Sequence, residues 1–250
     1  MIDAAQTNAT DTIIEIGPGK GALTRPILET GARVIAFELD SRMIDFLQIE
    51  LSEYIDSGKL EIIHQDVLDI DMDSFFGKLG NYKVIANIPY YITNAIIRKF
   101  LETTYQPTDM SLLMQKEVAE RIVVRDGKQS ILALSVSVFG IPRYIAKVER
   151  KYFSPSPRVD SAIIHIRKIS HQYLKTSAEQ KIFFDIIHAG FAHKRKKLFK
   201  NLTNLIDKND LEKIFGKRPF EDVVPVTESK EKKVIKEEEE IQSLAEPTEE

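Results

Sequence analysis

Short apolar, β-branched runs alternate with helical patterns along most of this chain, and few folds accept that alternation. Thr12–Ile16, Arg33–Glu38, Leu60–His64 and the stretches 82–87 and 110–114 have the length and composition of strands. Between them Met43, Leu47 and Leu51 recur at helical spacing, and helices are predicted over 94–103, 116–124 and 130–139. Such alternation implies a parallel sheet covered by helices. From Arg143 the pattern changes. Two strand-like runs, 144–149 and 161–166, are separated only by Ser154-Pro155-Ser156-Pro157. With no helix between them they predict an antiparallel hairpin at one edge of the sheet. Beyond His171 the chain reads helical to about Phe215, as a small second domain.

Charge is unevenly distributed. Residues 228–250 hold nine acidic and four basic residues, which leaves 31 basic against 29 acidic in the rest of the chain. The body is therefore slightly basic, and the tail has too little hydrophobicity to pack, so disorder is expected there. Cysteine is absent, which excludes disulfides, thiolate metal sites and cysteine nucleophiles together. The five histidines form no ligand-spaced cluster, so no metal is expected. No apolar run approaches the roughly 20 residues of a membrane span, and the first residues show no signal peptide. A cytoplasmic protein without membrane association is the expectation.

The candidate site lies at the ends of successive strands, where an open α/β sheet binds its ligand. Glu15-Ile16-Gly17-Pro18-Gly19-Lys20-Gly21-Ala22 follows the first strand and leads into a helix. Gly17 and Gly19 allow a tight turn and a close approach of ligand to backbone N–H groups. The same spacing also fits a dinucleotide fingerprint or a turn that binds nothing. Glu38, ending the second strand, is placed to accept ribose hydroxyls. Asp66, just beyond the third, is either a partner for an adenine amine or a simple turn cap. Together they suit an adenosine ligand with a methionine-like end.

Asn87-Ile88-Pro89-Tyr90 closes the fourth strand. An exocyclic amine on a purine is a poor nucleophile because its lone pair is delocalised. An Asn side-chain oxygen and a backbone carbonyl can accept its two N–H bonds and turn the lone pair toward an electrophilic methyl group. Pro89 removes a donor at the bend, which predicts free neighbouring carbonyls. Tyr90 offers a flat face on which a base can stack.

Four segments now carry a resemblance. Glu15-Ile16-Gly17-Pro18-Gly19-Lys20-Gly21, Asn87-Ile88-Pro89-Tyr90-Tyr91-Ile92-Thr93, Met114-Gln115-Lys116-Glu117-Val118-Ala119-Glu120-Arg121 and Phe153-Ser154-Pro155-Ser156-Pro157-Arg158-Val159-Asp160-Ser161 resemble motifs of the ribosomal RNA adenine N6-dimethyltransferases. The last two resemble the kasugamycin-sensitivity branch, which acts on the small subunit. The resemblance covers about residues 11–205. It implies a Rossmann-like S-adenosylmethionine-dependent methyltransferase sheet with a terminal antiparallel hairpin, plus a small helical C-terminal domain. It implies a catalytic domain over 1–170, a helical RNA-binding domain over 171–216 and an acidic tail over 217–250. The family segment with a Gly-Gln-x-Phe-Leu core, upstream of the first strand, is not in this sequence.

The implied activity is methyl transfer from S-adenosyl-L-methionine to the N6 amines of two adjacent adenines in the 3′-terminal hairpin of small-subunit rRNA. Its partner is that rRNA within an assembling subunit, and the enzyme is expected to be a monomer. Gly17, Gly19, Glu38, Asp66 and Asn87 would contact the cofactor. Asn87, Pro89, Tyr90 and Phe153 would form the catalytic pocket, with Tyr90 and Phe153 sandwiching a flipped adenine. Lys194, Arg195, Lys196, Lys197 and Lys200 form a basic stretch expected on a helix facing RNA phosphates, which Arg121, Arg125, Lys128, Arg143 and Lys147 extend. Two other readings fit the same residues: a non-catalytic ribosome-assembly factor on this scaffold, and an erythromycin-resistance-type methylase acting on large-subunit rRNA. A nicotinamide dehydrogenase would explain the glycine loop but neither Asn87-Ile88-Pro89-Tyr90 nor the hairpin.

Overall fold

The structure is a computed structural model that describes residues 1–193 and 196–215. Lys194, Arg195 and the acidic tail lie outside the described residues. The strands are β1 (Thr12–Ile16), β2 (Arg33–Glu38), β3 (Leu60–His64), β4 (Lys83–Asn87), β5 (Asp109–Gln115), β6 (Ile141–Val148) and β7 (Ser161–Arg167). They form one sheet in the order β3-β2-β1-β4-β5-β7-β6. β1 to β5 are mutually parallel, and β7 runs antiparallel to both β5 and β6. The hairpin expected at one edge is therefore present, with its second strand inserted between β5 and its first. This is the Rossmann-like sheet with a terminal antiparallel hairpin.

Both faces are covered, as the continuous apolar strands require. On one face Ile14, Ile16, Val84, Ala86, Met110 and Leu112 meet Ile96, Ile97 and Phe100 of α5 (Thr93–Leu101) and Val136 of α7 (Ile131–Ser137). On the other, Ile13, Val34 and Ile85 meet Ile27 and Leu28 of α1 (Thr24–Glu29) and Leu47 of α2 (Ser41–Glu50). The side-chain period of two sends neighbouring strand residues to opposite layers. α3 (Ser52–Asp56), α4 (Met72–Phe76) and α6 (Lys116–Ile122) complete the body.

After β7 come α8 (Ser177–Phe191), α9 (Leu198–Leu202) and α10 (Lys208–Phe215). α8 starts with a full capping box between Thr176 and Glu179, which fixes its first turn. Phe183 and Phe184 of α8 pack against the core of the sheet. α8 stops at Phe191 and α9 starts at Leu198, so the described members of the basic stretch, Lys196, Lys197 and Lys200, are not carried on one continuous helix with α8. Asn201 Nδ2 donates to the carbonyls of Gly190 (2.7 Å) and His193 (3.2 Å). A β-carbon on Gly190 would meet Leu198 Cδ1 at 2.9 Å, so glycine permits the close crossing. Lys196 and Lys197 lie exposed just before α9 and Lys200 exposed on α9. No helix among the described residues is long and apolar enough to cross a membrane.

Candidate active site

β1, β2 and β3 are laid out in one direction and β4 and β5 in the other, so the strand order reverses between β1 and β4. That reversal opens a crevice at the carboxyl ends of the strands. Glu38 and Asn87 end β2 and β4 there, and Gly17 and Asp66 lie just beyond β1 and β3, so the four stand in a row on adjacent strands. With strands about 4.8 Å apart, the row spans roughly 14 Å, the scale of an extended adenosine conjugate.

The glycine loop divides in two. Gly17, Gly19 and Gly21 have φ of +64°, +55° and +77°, so the chain turns through left-handed conformations and α1 begins only at Thr24. A β-carbon on Gly17 or Gly19 would meet nothing within 4 Å, whereas one on Gly21 would meet Leu47 Cδ2 at 2.9 Å. Gly21 is glycine for packing against α2. Gly17 and Gly19 instead border open space where a ligand can approach the backbone.

Glu38 is bound to this loop. Its Oε2 accepts the Gly19 N–H at 3.0 Å, and its Oε1 accepts the N–H groups of Leu39 and Asp40 at 2.8 and 3.0 Å. Three backbone donors hold the carboxylate in one orientation, and Oε2 retains a lone pair directed away from them. Asp66 caps the 3₁₀ turn Val67–Asp69, its Oδ1 accepting from Leu68 N–H at 2.8 Å. The turn-cap role expected for Asp66 is therefore present, and its Oδ2 makes no bond among the described residues.

Asn87 pairs with Leu113 of β5 in the ladder. Its side chain is exposed and makes no hydrogen bond among the described residues. The Pro89 carbonyl is engaged, accepting from Ile92 N–H (3.2 Å) and Thr93 Oγ1 (3.4 Å). This corrects the expectation that both carbonyls flanking the bend are free. The Ile88 carbonyl alone accepts no bond among the described residues, while the Ile88 N–H donates to Leu113 at 3.0 Å. The Asn87 amide and the Ile88 carbonyl are thus consecutive groups unbonded among the described residues, the first exposed and the second in a residue only 1% exposed. Tyr90 is half-buried, with its hydroxyl 2.8 Å from Ser161 Oγ, and Tyr91 beside it is 87% exposed. Phe153 is partly exposed and caps the 3₁₀ turn Arg150–Tyr152. Of the other basic candidates, Arg125 lies over the Tyr144 ring at 4.5 Å and Lys147 pairs with Asp160 at 2.9 Å.

Glu15 was not anticipated, although a carboxylate inside a strand covered on both faces has to be buried. It is 1% exposed and shares the sheet face of Ile13, beneath α1. Burial pushes its carboxyl from 4.5 up to about 8, and the neighbouring Glu38 charge adds to the rise. Thr24 offsets only part of this, and neither Thr24 Oγ1 nor Glu15 Oε2 completes a hydrogen bond among the described residues. Between 4.5 and about 8 the folded chain holds a proton that the unfolded chain releases, so stability falls as pH rises through that window. Glu15→Gln is expected to melt higher than the parent at pH 8.5, with the gap closing toward pH 5. A gap independent of pH would assign the effect to packing.

The seven-stranded sheet and the reversal of strand order define a Rossmann-like, methyltransferase-type α/β protein. A family model described as ribosomal RNA adenine dimethylase matches residues 1–243, and the chain belongs to that family. It is 40% identical over 203 residues to the ribosomal RNA small subunit methyltransferase A of Dehalococcoides mccartyi (strain CBDB1), covering 81% of this chain and 68% of that protein. With the protein of the same name from Geobacillus thermodenitrificans it shares 38% identity over 210 residues, 82% of this chain and 70% of the other. A solved dimethyladenosine transferase from Plasmodium falciparum superposes with a TM-score of 0.69 at 27% identity, covering 96% of this chain and 85% of that one. The 23S rRNA methyltransferase ErmE shares the fold, with a TM-score of 0.67 at 24% identity over 84% of this chain and 83% of that chain.

Proposed function

We propose that this protein is a cytoplasmic, monomeric enzyme that dimethylates the N6 amines of two adjacent adenines in the 3′-terminal hairpin of small-subunit rRNA, using S-adenosylmethionine. The observation that carries this reading is Asn87-Ile88-Pro89-Tyr90 beside the glycine loop, across the reversal of strand order, with two unbonded acceptors at its tip. S-adenosylmethionine, when bound, supplies an electrophilic methyl group. The backbone at Gly17 and Gly19 leaves room for its methionine end, Glu38 accepts from the ribose, and Asp66 Oδ2 accepts from the adenine amine. Asn87 and the Ile88 carbonyl accept the target N–H bonds and direct the nitrogen lone pair. Tyr90 and Phe153 stack the target base, which must leave its helix to reach them.

Residues 1–170 serve as the catalytic domain and 171–216 as the RNA-binding domain. Lys196, Lys197 and Lys200, with Lys194 and Arg195 in the same stretch, neutralise backbone phosphates. Replacing Lys196 and Lys200 by glutamate is expected to weaken RNA binding and flatten its dependence on salt, by roughly 0.7–0.9 in log–log slope for each phosphate no longer neutralised. An unchanged slope would remove this stretch from the interface. The chemistry is checked by incubating small subunits from cells lacking the modification with the protein and S-adenosylmethionine, then digesting the rRNA to nucleosides. N6,N6-dimethyladenosine is the expected product. Cofactor binding with no methylated nucleoside would favour an assembly factor on this scaffold.

A further inference from the structure

The segment from Phe153 to Ser161 enters the proposed mechanism only through Phe153, yet its last two residues are the best anchored. Ser161 opens β7 and is completely buried. Its backbone is paired with Gln115 of β5 on one side and Val148 of β6 on the other. A residue held in two ladders scarcely moves. Its hydroxyl meets the Tyr90 hydroxyl at 2.8 Å, across 71 residues of sequence.

Asp160 reaches the opposite way. Its Oδ1 accepts the Arg150 N–H at 3.1 Å, its Oδ2 pairs with Lys147 at 2.9 Å, and its carbonyl accepts the Lys116 N–H at 3.0 Å. Arg150 opens the turn that Phe153 caps, and the Phe153 N–H donates back to the Arg150 carbonyl at 3.2 Å. Ser156 Oγ donates to that same carbonyl at 2.9 Å. One dipeptide therefore holds the ring of Tyr90 through its hydroxyl and the backbone turn that presents Phe153.

We propose that Asp160 and Ser161 are positioning residues that set the separation and tilt of the two aromatic walls receiving the target base. The proposal rests on the reading of Tyr90 and Phe153 as those walls. A phenol anchored only at its β-carbon can swing about its side-chain torsions; one tethered at its far end to a buried hydroxyl cannot. Misplacing a reactant by about 1 Å can cost as much as 10²-fold in rate. Neither residue bonds to the glycine loop or to Glu38, so the effect belongs in turnover and not in cofactor affinity.

The test uses Ser161→Ala, Tyr90→Phe, their combination, Asp160→Ala and Asp160→Asn, each assayed on small subunits lacking the modification. Ser161→Ala and Tyr90→Phe are each expected to lower kcat about fivefold to tenfold, leaving the Kd for S-adenosylmethionine within twofold. The combination should be no worse than either alone, because both remove one shared hydrogen bond. Asp160→Asn, which keeps the acceptor for Arg150 N–H, should recover most of the activity lost in Asp160→Ala. Tyr90→Ala separates the two levels of the argument. If it retains full activity, the base-stacking reading itself fails. If it is inactive while Ser161→Ala and Asp160→Ala keep the parent kcat and lose only melting temperature, the two residues are structural and the proposal is overturned.

Discussion

Asn87→Ala is expected to lower methyl transfer by about 10²–10³ while leaving the fold and most cofactor affinity intact. The side chain is exposed and unbonded among the described residues, so its removal leaves no buried partner stranded and creates no cavity. What the proposed mechanism loses is one of the two acceptors that would orient the target amine. The other, the Ile88 carbonyl, stays in place because the Ile88 N–H is bonded to Leu113 in the adjoining strand. The measurement is single-turnover methylation of small subunits at saturating cofactor, beside a melting curve. A rate within a few-fold of the parent would remove Asn87 from the mechanism.

Glu38→Ala should act on cofactor affinity instead. Losing one charge-assisted hydrogen bond to ribose costs about 1.5–3 kcal/mol, or roughly 10–150-fold in Kd. The alanine variant also frees the Gly19 N–H from its acceptor, which loosens the loop and pushes the loss toward the upper end. Glu38→Gln is expected to be nearly as damaging. The native carboxylate accepts three backbone N–H groups on two oxygens, and an amide would turn an N–H₂ donor against at least one of them. Calorimetric titration with S-adenosylmethionine checks both variants. An unchanged Kd would refute the ribose assignment, and full affinity in Glu38→Gln alone would mean that the three backbone bonds are dispensable.

Local patterning carried the sheet. The first three strands have the bounds expected, and the next two differ by a residue or so at their ends. Apolar runs in a sheet covered on both faces leave little latitude. The insertion of β7 between β5 and β6 could not be read, because both hairpin strands are similarly apolar and partner choice is a tertiary matter. Likewise α1 begins later than the glycine run implied, since three left-handed turns at Gly17, Gly19 and Gly21 must finish before a helix can start. The basic stretch read as one helix because nothing local stops it. In the structure α8 ends at Phe191 and α9 starts at Leu198, tied together by Asn201 reaching back to Gly190 and His193, a tertiary contact that no local pattern announces.

The row of strand-end positions was legible, with Gly17, Glu38 and Asn87 standing at or just beyond the ends of β1, β2 and β4 as expected, and the roles given to them are those proposed above. The supports of the site were not legible. The Tyr90–Ser161 bond joins motifs 71 residues apart, and the hold of Glu38 on Gly19 depends on how β1 and β2 align. Glu15 did carry a usable signal, a lone carboxylate in an otherwise apolar strand.

The most direct test of the central claim is to map where the methyl groups go. Small subunits lacking the modification and, separately, large-subunit rRNA are incubated with the protein and labelled S-adenosylmethionine, and the labelled positions are located by nuclease fragmentation. The proposed mechanism predicts label on two adjacent adenines in the 3′-terminal hairpin of the small-subunit rRNA, and none on large-subunit rRNA, free adenine or duplex DNA. Label confined to large-subunit rRNA would contradict it and place this protein with the resistance methylases.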